Sequence, residues 1–578
     1  MKKTTGIILT SVALLIMLSI CISIYIYFFS PNNQMIEAFD EDNINLVIED
    51  KLIEDANVKI QNDNILIRFE IVKQYFDKNI FWEENSKTVT VTTENKLIRM
   101  KADKTDASMN NKPIKLETPV IQENSAVFIP ISFLSDLYDI DINYIKDTNV
   151  VIIDHRNKSK QFAEPLKEEV VIRRGMSIKQ PILKRIDKAN ADTRKMRAFE
   201  ESEKWYKVRS SDGIIGFVEK KVVRITEIVG EKTTEKGFNK AQFKPTKGKI
   251  NLVWDAIYQY STGWSDEGKI EGLDVLSPTW FEVKDEDGTL LSRASSEYVK
   301  WAHKNGYEVW AHLSNNVGGA DNTGEFLNNT ESRDNAIKKV LEYSSLYKLD
   351  GINIDFEDIN KIDKDVYTQF VRELAALINE QGLIVSVDIT VPGGSANWSL
   401  CYDRMALSEA VDYVMLMTYD QYWAGSSIAG SVSELSWVEE NINLVLKEVP
   451  KEKFLLGLPF YTRVWKEKEG EKPQSRAISM GTAQKLVEEN NAKVTWNELC
   501  GQFYTEYKVD GILNRLWIED KTSINLRSAL VNKYDLAGVA SWRKDFETSD
   551  IWSVLNKNLK ENTNYNEWLK QNKTNVYK

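Results

Sequence analysis

"GINIDFEDIN", residues 351–360, is the stretch on which the reading of this chain turns. In a β-strand, side chains alternate between two faces. Asn353, Asp355 and Glu357 therefore share one face, and Ile352, Ile354 and Phe356 share the other. One face is a dry wall. The other is a row of polar groups, costly to bury unless they are hydrogen-bonded or functional. The row is either a structural polar ladder or a catalytic strand, and the neighbouring strands decide between them.

Seven more apolar runs surround it: "INLVWDAI", "LDVLSPTWF", "YEVWAHLS", "LIVSVDITV", "VDYVMLMTYD", "KFLLGLPFY" and "LAGVASW". Near-continuous apolar strands alternating with helical stretches predict a parallel sheet covered on both sides. Eight such units over residues 248–560 predict an α/β fold, a (β/α)8 barrel. The gap at 466–530 is too long for one loop and helix, and predicts a small inserted α+β subdomain. In such barrels chemistry sits at the C-terminal strand ends. Those ends carry Trp254 and Asp255, Trp280, His312 and Asn315, the polar row, Tyr419 and Asp420, Tyr461 and Arg463, and Trp542. So many polar ends on one rim favour the catalytic strand over the ladder. His312, a lone histidine near Trp310, reads as a wall residue rather than a substrate contact.

Asp355 and Glu357 are two residues apart, about 6.5–7 Å between Cα atoms in a strand. Two close carboxyls do not both ionise easily, so one pKa rises, and a Glu kept protonated near neutral pH is a general acid. A glycosidase with two catalytic carboxylates sets them on either side of the scissile bond. Neighbours on one strand do not straddle a bond in that way; the alternative is assistance by the substrate itself.

The motif "DGINIDFE", Asp350 to Glu357, together with "SPTWF", "MTYD", "LGLPFYTRVW" and "GVASW" in order, resembles glycoside hydrolase family 18, the chitinase-like family. The resemblance implies retaining, substrate-assisted cleavage next to an N-acetylglucosamine-type residue, with no metal and no cofactor. It implies Glu357 as acid and then base, Asp355 as the group that orients the substrate's acetamido, and Tyr419 as donor to its carbonyl. Trp542 would floor the site, with Asp420, Arg463, Trp254 and Trp280 shaping it. Asn353 departs from the family's Asp at that position. It is expected to donate to Asp355, hold it anionic, and alter the pH profile. Peptidoglycan is the expected polymer. The alternatives are chitin oligosaccharides or a non-catalytic wall-binding role.

Residues 6–29 form an apolar run long enough to span a bilayer, preceded by Lys2 and Lys3 and followed by no small-x-small cleavage site. This predicts an uncleaved single-pass anchor, a cytoplasmic stub at 1–5, and an extracytoplasmic body. Residues 46–155 resemble the copper amine oxidase N-terminal domain-like module. They hold no His cluster, so no metal is expected there. Residues 166–228, with Trp205 and the Asp212–Gly213 turn, resemble a bacterial Src-homology-3-like module that either binds the wall or acts as a spacer. A chain lacking residues 31–228 is expected to cut soluble substrate still. Residues 561–578 read as a polar tail.

Composition excludes other classes. Of 578 residues, 42 % are hydrophobic and 28 % charged, which is ordinary for globular domains. The net charge of −11 is no nucleic-acid footprint. Three His leave little room for a His-based triad or a His-rich metal site. The 16 Trp serve as core or as sugar-stacking faces. Cys21, Cys401 and Cys500 have no metal-like spacing and read as free thiols. "GWSDEGKI" at 263–270 mimics a phosphate loop, but it lacks the following Ser/Thr and carries Asp266 and Glu267.

Overall fold

The eight apolar runs become eight parallel strands: β1 (Ile250–Asp255), β2 (Val275–Pro278), β3 (Glu308–Asn315), β4 (Gly351–Asp355), β5 (Ile384–Thr390), β6 (Tyr413–Met417), β7 (Phe454–Pro459) and β8 (Gly538–Trp542). Each pairs with the next, and β8 pairs with β1, so the sheet closes. The fold is the expected (β/α)8 barrel, an α/β architecture with β-rich modules before it. This is a computed structural model that describes residues 2–40, 42–190, 194–228, 240, 242–258, 268–561 and 563–572. Most of the linker at 229–248 and residues 263–267 of the phosphate-loop mimic lie outside the described residues.

Chain contacts define two units. The first comprises residues 1–80, 100–107 and 113–237, and the second residues 81–99, 108–112 and 238–578. In the first unit, helix α1 (Lys2–Phe29) contains the largely apolar 23-residue span Ile7–Phe29, long enough to cross a membrane. Two four-stranded sheets and the helix Phe69–Tyr75 follow. A seven-stranded sheet then starts at Lys160, six residues before the expected boundary, because Lys160–Pro165 pairs along its whole length with Val223–Ile228.

The second unit is built around the barrel. Its helices include α2 (Ser296–Asn305), α3 (Thr330–Tyr347), α4 (Lys364–Glu380), α5 (Arg404–Ala410), α6 (Leu435–Val445) and α7 (Lys521–Lys533). Ile352, Ile354 and Phe356 on the dry face of β4 pack outward into the core under these helices, with the Phe356 ring on Phe370 of α4. Ile250, Leu252, Trp254, Val275, Trp310, Ile384, Met415, Leu455 and Ala540 fill the barrel interior. Strand approach is tight. A Cβ on Gly538 would lie 2.1 Å from the Ile250 carbonyl oxygen, so only glycine fits there.

Three expectations are corrected here. The inserted subdomain is a five-stranded sheet with one helix running from Tyr461 to Ile518, whereas α7, which begins inside the expected 466–530 window, packs on the barrel as its own helix. The supposed polar tail contains α8 (Tyr565–Gln571), whose Trp568 is buried and donates its indole N–H to Asn525 Oδ1 at 3.1 Å. Residues 573–578 lie outside the described residues. Finally, residues 81–99 belong with the barrel. Arg99 donates to Glu373 at 3.0 and 3.2 Å and to Asp334, and Glu83 accepts from Arg333 at 2.9 Å. Arg333 and Glu373 are fully buried. A chain without residues 31–228 therefore loses two members of a buried charge cluster.

Candidate active site

The polar face of β4 points into the mouth of the barrel. Gly351 opens the strand, where a Cβ would lie 2.8 Å from both the Ile384 carbonyl oxygen and the Trp310 ring. Asn353 is fully buried and saturated. Its Oδ1 accepts from the Trp254 indole at 2.7 Å and from Ser277 Oγ at 3.3 Å, and its Nδ2 donates to Asp388 Oδ1 at 2.7 Å. The expected donation from Asn353 to Asp355 is thus corrected: Asn353 turns to β5, where Ser386 stands opposite it and Asp388, two residues further on, accepts from it. Asp355 is held instead by His312 of β3, whose Nε2 lies 2.8 Å from Asp355 Oδ2. The β3–β4 register sets His312 beside Asn353 and Ser314 beside Asp355, which puts the imidazole within reach.

Glu357 follows the strand end. Asn315 clasps its backbone, accepting the Glu357 N–H at 2.9 Å and donating to its carbonyl at 2.8 Å. Asp358 (φ 49°) and Asp420 (φ 57°) sit in the left-handed region that few residues other than glycine adopt. Such conformations gather at functional sites. Burial, and after it the negative charge of Asp355, Asp420 and Asp358, pushes the Glu357 carboxyl up to about 8. Burial, and then Asp355, hold Asp388 well above the carboxylate range. Burial, with Asp388 and Asp355 nearby, keeps the Tyr419 phenol protonated, so it remains a donor.

The remaining predicted residues divide. Asp420 accepts from Arg463 Nη2 at 3.2 Å, and Tyr419 stands edge-on between Trp254 and Tyr461 at 6.5 and 6.2 Å. Trp542 is half-buried, with its ring 6.1 Å from Trp254. Trp254 lies one layer deeper than the substrate face expected of it, with its indole N–H spent on Asn353. Trp280 is corrected outright. It is 1 % exposed and packs edge-on against Tyr298 at 5.1 Å, so it offers no face to a ligand.

Sequence reasoning missed four residues. His312 was read as wall but bonds Asp355. Asp388 carries a signal in the sequence: Ser386 and Asp388 alternate with apolar residues in β5 just as the row does in β4. Trp398 and Trp423, 47 % and 57 % exposed, sit on the loops after β5 and β6 and present flat apolar faces at the rim. Among the described residues, His312, Asp355 and Asp388 bring possible metal-ligand atoms within 4.8 Å of one another. Hydrogen bonds from His312 and Asn353 already tie them together. A protonated carboxyl, a carboxylate beside it, a phenol donor and an indole floor form a set suited to protonating a leaving oxygen while stabilising a polar group of the substrate.

Residues 256–547, just over half of the chain, match the family profile described as glycosyl hydrolases family 18, and residues 47–153 match the copper amine oxidase N-terminal domain. The chain is 25 % identical over 288 residues to the uncharacterized glycosylase YvbX of Bacillus subtilis (strain 168), covering 48 % of this chain and 82 % of that protein. It is 28 % identical over 244 residues to the cortical fragment-lytic enzyme of the same organism, covering 41 % of this chain and 56 % of that one. In fold it is similar to the crystal structure of the Bacillus cereus spore cortex-lytic enzyme SleL, with a TM-score of 0.50 and 21 % identity over 55 % of this chain and 76 % of that one. With the barrel, the row on β4 and these matches together, the chain belongs to glycosyl hydrolase family 18 and is a glycosidase.

Proposed function

We propose that this chain is a membrane-anchored, extracytoplasmic hydrolase that cleaves peptidoglycan next to N-acetylglucosamine, with retention of configuration. The observation that carries the reading is Asp355 at the end of β4 with Glu357 two residues beyond it, the Glu357 carboxyl pushed up to about 8. Glu357 protonates the leaving oxygen and later activates water. The group that attacks the anomeric carbon is the sugar's own 2-acetamido oxygen. Asp355 accepts the acetamido N–H, Tyr419 donates toward its carbonyl, and Trp542 lies under the ring. Asp420 and Arg463 hold the rim.

Two features favour peptidoglycan over neutral chitin. One relative is a cortical fragment-lytic enzyme. The other feature is Arg543, next to Trp542, whose guanidinium stacks on Phe546 at 3.9 Å and faces Tyr258 at 5.6 Å. It forms no ion pair among the described residues, and peptidoglycan, unlike chitin, brings carboxylates. Helix α1 is read as the anchor and the modules before the barrel as its reach to the wall.

The test is the stereochemistry of the first product. The full chain in mild detergent is given peptidoglycan fragments or N-acetylglucosamine oligomers, and the newly formed anomer is followed by proton NMR. The β anomer appearing first supports the reading. The α anomer appearing first contradicts it.

A further inference from the structure

Asp355 has two oxygens in different situations. Oδ2 faces His312 Nε2 at 2.8 Å, whereas Oδ1 is buried with no hydrogen-bond partner in the protein. His312 Nδ1 is likewise buried without a partner. A protonated imidazole would leave a charged N–H unpaired there, which costs more than an unpaired lone pair. The neutral tautomer with its proton on Nε2 fits both nitrogens, so His312 donates to Asp355. The other groups facing Asp355 are Glu357 just beyond β4, Asp388 on β5, Tyr419 just beyond β6, Tyr367 on α4 and Tyr402 on the loop after β5. Asn353 is engaged with Trp254, Ser277 and Asp388, and cannot take over the role.

We propose that His312 is a positioning residue for Asp355. Its Nε2–H pins Oδ2 and so presents Oδ1, the free acceptor, to the acetamido N–H of the bound sugar. The proposal rests on the substrate-assisted reading above. On this account Asp355 keeps one orientation through the reaction, and position 353 on its own strand holds an amide rather than a carboxyl. His312 touches no reacting atom and acts wholly through Asp355.

A double-mutant cycle reads this directly. Steady-state kcat and KM are measured on the full chain in detergent, with N-acetylglucosamine oligomers and with soluble peptidoglycan fragments. His312→Leu is expected to lower kcat about 100-fold while KM stays within about threefold. His312→Gln, whose amide N–H reaches Oδ2, is expected to keep kcat within about fivefold of wild type, and His312→Asn, too short to reach, to lose as much as the Leu variant. In an Asp355→Asn background, removing His312 is expected to cost less than about threefold. Should the Leu variant not fold, the Gln and Asn pair carries the same comparison. Equal losses in both backgrounds, or an unaffected His312→Asn enzyme, overturn the proposal alone. A wild-type chain inert on both substrates overturns the functional reading, and the proposal with it.

Discussion

Glu357 is where burial and like charge do the most chemistry. Its carboxyl titrates at about 8 in the folded chain against 4.5 for an ordinary Glu. The folded state therefore binds the extra proton between those values, and stability falls as pH rises through that window. Glu357→Gln removes this cost. We expect its melting temperature to exceed that of wild type by about 2–4 °C above pH 8 and to match it below pH 4.5, by calorimetry across pH. The same carboxyl sets activity. The alkaline limb of kcat/KM is expected near pH 8, where the acid loses its proton. Asn353→Asp sets a second buried carboxyl 2.7 Å from Asp388. The pair then has to share a proton. We expect this variant to melt progressively below wild type as pH rises past neutral and to converge with it in acid. A pH-independent difference would show that the pair is not where the charge falls.

At the scale of elements, alternation made β4 legible. Polar residues at every second position of an apolar run admit few readings, and the eight runs with their polar ends pointed to a closed barrel. Packing partners were less legible. Nothing in the local sequence tells Asn353 whether to face Asp355 or Asp388, because that choice depends on the register of β4 against β5. His312 looked like wall because its partner sits 43 residues away on the next strand. Trp280 looked like a platform because a strand-end Trp and a core Trp have the same local sequence. The C-terminal segment reads as polar, yet one Trp at the right helical position docks it. Trp568→Ala is expected to cost about 3–5 kcal/mol, measured by chemical denaturation. A loss below about 1 kcal/mol would mean that α8 is not part of the folded barrel unit.

At the scale of the whole molecule, the barrel's compact unit includes residues that come long before it in sequence. Burial would raise the Glu373 carboxyl, but Arg99 and Arg333 outweigh that and hold it at about 2. A depressed carboxyl stabilises above its unfolded pKa, and the gain is lost as pH falls through the folded value. Glu373→Gln is thus expected to cost about 3–5 kcal/mol at neutral pH, shrinking toward pH 2. Deleting residues 31–228 strips Glu83 and Arg99 from the cluster. We expect that chain to melt well below the full chain and to lose activity even on soluble substrate, and equal melting would contradict the shared cluster.

The central claim is an acid-catalysed cut next to N-acetylglucosamine, with Glu357 as the acid. The most direct measurement incubates the full chain and its Glu357→Gln variant with purified peptidoglycan and reads the products by mass spectrometry. The account predicts fragments with N-acetylglucosamine at the new reducing end from wild type only. Release of the same fragments by Glu357→Gln, or binding without cleavage by both, would contradict it.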